Sequence, residues 1–237
     1  MALDGTYSGL IASVADWLHR TDLTGVLPDL VKLVEETANY GDEELDIPPL
    51  RTSDQEIQWT SASSLPATCT AGSNYITLPS DYVEMRQLYV IDSAGIKQEL
   101  KRSGVSPLFV SDRANVQRLP QWFFESAGQI YLIPQPDIAY NLHGIYYRTI
   151  PGLQAASTNW LMTSHPRVYL FGTCMYAGPW LGADNRVALW AKGFRGAINA
   201  LNTSDKRKRR KNVLMRSEAA DLTQGGMYDI NTGMYVI

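Results

Sequence analysis

The sequence predicts an α+β protein with helices at both ends and strands between them, and three observations carry that prediction. Residues 159–202 place Val187, Trp190, Phe194, Ile198 and Leu201 at steps of three and four, one face of a helix. Residues 6–19 and 26–40 repeat the helical spacing near the N-terminus. Between them lie short runs rich in Ile, Tyr, Trp and Phe, separated by turn residues, as half-buried strands require. The expected architecture is a helical bundle of N- and C-terminal helices, with an inserted antiparallel β-domain and an extended C-terminal arm. Its expected parts are the N-terminal helices (1–45), the inserted β-domain (46–152), the C-terminal helical hairpin (153–204) and a basic arm ending in a hairpin (205–237).

Taken in order, the first helix is expected over 6–19, where Tyr7, Leu10, Ile11, Val14, Trp17 and Leu18 share helical spacing. A second helix is expected from about Val26 to Tyr40, capped by Asp22 or Thr24, with Pro28 in its first turn and Gly41 as its stop. DEELDIPPLRTSDQ then leads away from the helices. Strands are expected at 56–60, 75–78, 88–92, 121–125, 129–133 and 142–147. Ser126-Ala127-Gly128 and Asp92-Ser93-Ala94-Gly95 read as tight hairpin turns, so an antiparallel sheet or small sandwich is expected. In the C-terminal hairpin Pro166 suits the first turn of one helix, Gly182 its end, and Asp184 the cap of the next.

Bulk properties narrow the class. With 45% hydrophobic and 19% charged residues the chain should bury a sizeable core. No apolar run reaches the roughly 18 residues of a membrane span. The start, MALDGTYSG, is acidic where a secretory signal is basic, so a cytosolically made protein is expected. Cys69 and Cys174 stand far apart, without disulfide or metal spacing, and read as buried thiols. Net charge is −3, unevenly spread. From Asp205 onward there are seven Lys/Arg and four Asp/Glu (+3), leaving fourteen and twenty in the preceding body (−6).

The order of segments then carries a resemblance. LIASVADWLHRTDLTGVLPDLVKLVEETAN, LPSDYVEMRQLYV, the PQPD…YYRTIPGL stretch and NWLM…HPRVYLFG follow one another over about Tyr7 to Leu201. In this series the chain resembles the head-to-tail adaptor (connector) proteins of tailed bacteriophages. The resemblance implies a helical domain with an inserted β-domain, assembled as a homo-oligomeric ring, most often of twelve copies. It implies contact with the portal protein above and tail or nozzle proteins below, and DNA passing through the central channel without sequence-specific binding. The implied location is the head–tail junction of the virion.

Two sets of residues are candidates for such contacts. Trp160, Tyr169, Tyr176 and Trp180 belong to more aromatic surface than four short helices easily bury, and Tyr and Trp suit interfaces. Each could equally fill the chain's own core. The second set is the basic run Lys206, Arg207, Lys208, Arg209, Arg210 and Lys211. Six like charges repel, so an extended segment is expected there; Asn212 to Leu222 beyond it reads as a short helix or an extended arm. The basic run could be a solvated helix end, dock on an acidic surface of the portal or a neighbouring copy, or touch DNA phosphates; the nuclear-localisation reading of such a run is set aside. Tyr228, Tyr235 and Ile237 belong to a C-terminal hairpin that needs a surface to lie on, because an isolated two-stranded hairpin is marginal in water. That surface could be the portal, an adjacent copy or the chain's own β-domain. The acidic stretch Asp42-Glu43-Glu44-Leu45-Asp46 reads as a solvated loop or a channel-facing surface that discourages DNA from sticking.

No enzyme is expected. A cell-wall hydrolase would need two paired carboxylates, and no spacing selects a pair among Glu35, Glu36, Asp81, Glu84 and Glu125. His19, His143 and His165 lack metal-ligand spacing, and no nucleophile elbow, P-loop or dinucleotide motif occurs, so no cofactor is expected. A carbohydrate-binding tail component is a further alternative, with Trp59 and Trp122 as the sugar-stacking candidates.

Overall fold

A computed structural model describes residues 3–59, 68–104, 116–182, 185–223, 227–229 and 234–236. Among them the chain is mixed α+β, with seven helices and two four-stranded, mainly antiparallel sheets. It divides into two compact units, one of Met1–Thr52 with Leu153–Ile237 and one of Ser53–Gly152.

In the first unit, α1 (Tyr7–Leu18) starts at Thr6, whose hydroxyl accepts the Gly9 N–H at 3.0 Å. Leu10, Val14 and Leu18 are buried along it. Helix α2 (Leu27–Tyr40) ends at Gly41, at φ +82. Neither Asp22 nor Thr24 caps it, because its N-cap is Val26 and Pro28 removes one of the donors a cap would satisfy. Asp22 instead pairs with Arg20 at 2.6 Å. The predicted first helix of the C-terminal hairpin is broken into short pieces, α4 (Trp160–Ser164), α5 (Pro166–Tyr176) and α6 (Gly178–Leu181), after the single turn α3 (Leu153–Ala156). Pro166 lacks the N–H that a continuous helix needs, so the break falls there. Asn159 caps α4, accepting the Met162 N–H at 2.8 Å.

Helix α7 (Arg186–Thr223) runs for 38 residues. Asp184, its expected cap, lies outside the described residues. Its face Trp190, Phe194, Ile198 and Leu201 is buried as the spacing predicts. Helix α5 packs against α1, α2 and α7. A Cβ on Gly172 would lie 2.8 Å from Val34 Cγ2 and 3.2 Å from Phe194 Cε2, so glycine is what lets these helices approach. Contacts pairing Gly178 with Val187 and Phe171 with Gly193 make α5–α6 and α7 antiparallel.

One expectation is corrected in this unit. Beyond Asp205 the chain is not an extended arm, since α7 continues through the basic run to Thr223. Lys and Arg are good helix formers, and packing at Trp190–Leu201 has already nucleated the helix, so extension needs no new nucleus. Successive residues turn by about 100°, which spreads six charges around the axis. Asp205 also pairs with Arg209 one turn on. The terminal hairpin is present, with β9 (Met227–Asp229) antiparallel to β10 (Met234–Val236) and Tyr228 opposite Tyr235. Its turn and Ile237 lie outside the described residues.

The second unit contains β1 (Glu56–Trp59), β2 (Tyr75–Thr77), β3 (Tyr82–Ile91), β4 (Lys97–Glu99), β5 (Lys101–Arg102), β6 (Trp122–Ser126), β7 (Gln129–Ile133) and β8 (Asn141–Arg148). The sheet orders are β1-β8-β3-β4 and β2-β7-β6-β5, with only the β5–β6 pair parallel. Ala127 and Gly128, both at positive φ, make the two-residue turn between β6 and β7. Asp92 Oδ1 accepts the N–H groups of Ala94 and Ile96 at 2.8 Å, closing the β3–β4 turn. Trp59, Leu88, Val90, Ile130, Leu132 and Leu142 form the buried centre of this unit.

Candidate functional site

The helical unit presents the surfaces on which association can act, and its own core fixes which aromatics are available. Tyr169 is fully buried. Its hydroxyl donates to Glu35 Oε1 at 3.1 Å and accepts from Asn159 Nδ2 at 2.7 Å. Glu35 Oε1 also accepts the Leu153 N–H at 2.7 Å. This network ties α2 to the starts of α3 and α4, and burial pushes the carboxyl of Glu35 and the hydroxyl of Tyr169 above their ordinary values. Tyr169 is therefore a core residue of its own chain and not a surface for a neighbour. Tyr176 is half-buried and its hydroxyl shares a hydrogen bond with that of Thr37. Trp160 is half-buried, with its indole N–H inside the unit.

Of the four aromatic candidates only Trp180 is substantially exposed, at 43%. Two residues that helical spacing had placed with the core or left aside join it, Trp17 at 44% and Leu189 at 67% exposure. Trp17 packs edge-on against Phe171, at 5.8 Å between centroids. Arg20 donates to the Trp180 carbonyl, and Arg186 donates to the Trp17 carbonyl while lying over the Trp190 ring. Helical spacing puts Trp17 on one stripe with Leu10, Val14 and Leu18, so the sequence carries no signal of its exposure.

The basic run lies on α7. Lys206, Arg207 and Lys208 are exposed, and Arg209 is held by Asp205. Four to eleven residues upstream of Lys206, the same helix holds the acidic loop. Arg195 pairs with Asp46 at 3.1 Å, and Asn202 Nδ2 donates to the Pro49 carbonyl at 3.0 Å. Glu43 and Glu44 are exposed on the loop, closed by the Asp42–Ile47 bridge, and Tyr40 beside it is 61% exposed. A cleft of about 410 Å³ opens there between Tyr40, Asp42, Glu43, Asp46, Pro49 and Asn199.

The residues weighed for other activities are dispersed. Trp59 is fully buried and cannot stack on a sugar, which corrects that candidate; Trp122 on β6 is half-buried. Glu35 and Glu36 belong to the helical unit, whereas Asp81, Glu84 and Glu125 belong to the β unit. Asp81 accepts the Tyr146 hydroxyl and Glu125 pairs with Arg102. Both cysteines are buried, and burial pushes the Cys174 thiol up to about 12. Among the described residues no group of three His, Cys, Asp or Glu could hold a metal ion, and no helix is long and apolar enough to cross a membrane.

No curated protein matches this sequence. A family model does, that of the SU10 adaptor protein, over residues 5–217, which takes in both compact units and most of α7. By the extent of that match, and in keeping with its resemblance to tailed-phage adaptors, this chain belongs to the SU10 adaptor protein family.

Proposed function

We propose that the protein is a structural virion component that joins the portal to the tail as a ring of copies and continues the DNA channel. The observation that carries this reading is the family match reaching from the start of α1 to the far half of α7. In this reading the helical unit is a bundle, the β unit is its insert, and about twelve copies close the ring. Closed cyclic symmetry sets different faces of neighbouring copies together, and the half-exposed Trp17 and Trp180, framed by Arg20 and Arg186, have the composition of binding hot spots. The far half of α7 and the terminal hairpin form the segment that meets the portal or an adjacent copy. DNA passes without sequence-specific contact, and the protein carries out no reaction of its own.

Two measurements test this. Mass determination of the chain alone and mixed with its portal should give a defined multimer on the portal; a chain that stays monomeric in both settings refutes the ring. Deleting residues 205–237 should abolish attachment to portal while leaving the thermal transition of the remaining core in place. Unimpaired attachment of the truncated chain removes the role assigned to the segment.

A further inference from the structure

The opposite charges of the helical unit lie on α7 and on a loop held against it. Asp46 is held at Arg195 and Pro49 at Asn202, so the segment from the acidic loop onward runs along α7 towards its C-terminal end. The loop tip carries Glu43 and Glu44, and Glu43 lines a cleft with Asn199. Asn199 comes seven residues before Lys206, about 10 Å along the axis at the rise of an α-helix. Among the described residues neither Glu43 nor Glu44 pairs with Lys206, Arg207 or Lys208, and these three cations make no ion pair with another described residue.

A single copy thus displays a cationic helical surface and an anionic loop that it does not bring together itself. The helix outruns its own packing partners: α5 spans 11 residues and α2 spans 14, against 38 in α7. Two complementary patches held on one unit can meet between copies. The contact is then head-to-tail, joining unlike surfaces, and repetition of such a contact closes a ring or grows a filament. Tyr40 and Leu45, both exposed beside the carboxylates, supply apolar area over which the lysine and arginine stems can lie.

We propose that Lys206, Arg207 and Lys208 of one copy dock on the acidic loop of the next, against Glu43 and Glu44. This rests on the ring reading and names the contact between its neighbours. The basic run is then a lateral clamp between copies, and neither DNA nor the portal is its principal partner.

A charge-exchange experiment tests it on the full-length chain. One variant carries Lys206→Glu, Arg207→Glu and Lys208→Glu; the other carries Glu43→Lys and Glu44→Lys. All five sites are exposed, so both variants should keep the wild-type circular dichroism and thermal transition. Copies are counted by mass, for the chain alone and on its portal. Each variant by itself sets like charge against like at every contact and should assemble at least about tenfold more weakly than wild type. Mixed one to one, the acidic helix of the first meets the basic loop of the second and the reverse, so assembly should return. The wild-type multimer should also weaken as sodium chloride rises from about 0.05 to 0.5 M.

Variants that each multimerise as wild type overturn the docking and leave the ring standing. So does a mixture that stays as weak as its components, or a pair of variants that form multimers yet fail only on portal. A wild-type chain that forms no multimer in either setting removes the ring, and the docking falls with it.

Discussion

Glu35 is the most informative single position, because one carboxylate oxygen carries two hydrogen bonds inside the helical unit. Its Oε1 accepts from the Leu153 N–H at 2.7 Å and from the Tyr169 hydroxyl at 3.1 Å. Glu35→Ala removes the acceptor for both donors, and a buried donor left without a partner costs about 1–3 kcal/mol. The Tyr169 hydroxyl keeps its bond from Asn159 and so loses less, which places the total near ~2–4 kcal/mol. Glu35→Gln behaves differently. The amide oxygen can take both donors, while the charge that burial disfavours is gone.

Burial raises the Glu35 carboxyl above its ordinary 4.5, so the folded protein holds that proton more tightly than the unfolded chain. The stability this contributes is complete below pH 4.5 and is lost as pH rises through the folded value. The difference in unfolding free energy, Glu35→Gln minus wild type, should therefore climb with pH from about 4.5 upward and then level off. Urea unfolding followed by circular dichroism between about pH 4 and 8 measures it. A difference that is flat, or that falls with pH, refutes the reasoning that burial outweighs the two donors at Glu35.

Other expectations follow from packing. Gly172→Ala sets a methyl 2.8 Å from Val34 Cγ2, where α2, α5 and α7 meet, and should cost about 1–3 kcal/mol in chemical denaturation. Trp59→Ala empties the centre of the β unit and should cost about 3–5 kcal/mol, read as an early loss of near-ultraviolet ellipticity. Cys69 and Cys174, buried and with raised thiol values, should resist a thiol reagent at pH 8 until the chain is unfolded; modification of the native protein at the rate of a free thiol refutes their burial.

Much of this architecture is written in local pattern. The Gln129–Ile133 strand falls where alternation and the Ala127-Gly128 turn place it, and Phe194, Ile198 and Leu201 lie inside as their spacing requires. Strand β3 begins at Tyr82, six residues before the expected Leu88, because register shifts between Tyr82 and Glu84 and between Met85 and Gln87 break the two-residue period. The helix start at Pro166 falls where proline's missing donor places it, whereas the further break at Ala177 is not reported by the spacing of apolar residues. At the candidate surfaces the chemistry of each residue was readable but its accessibility was not. Tyr169 and Trp180 look alike in sequence; one is enclosed by Glu35 and Asn159 and the other stands half in water. The basic run misled for a further reason. Like-charge repulsion is a local cost of a few tenths of a kcal/mol per pair, whereas a helix already anchored upstream extends one hydrogen bond at a time.

That anchored extension has a mechanical consequence. An arm joined by a flexible hinge could be pulled without disturbing the body it hangs from. Here the charged segment is the same continuous rod as the core face from Trp190 to Leu201, about 57 Å from end to end at the α-helical rise. Because the helix is continuous, a load on its outer half would be carried into the packing from Trp190 to Leu201.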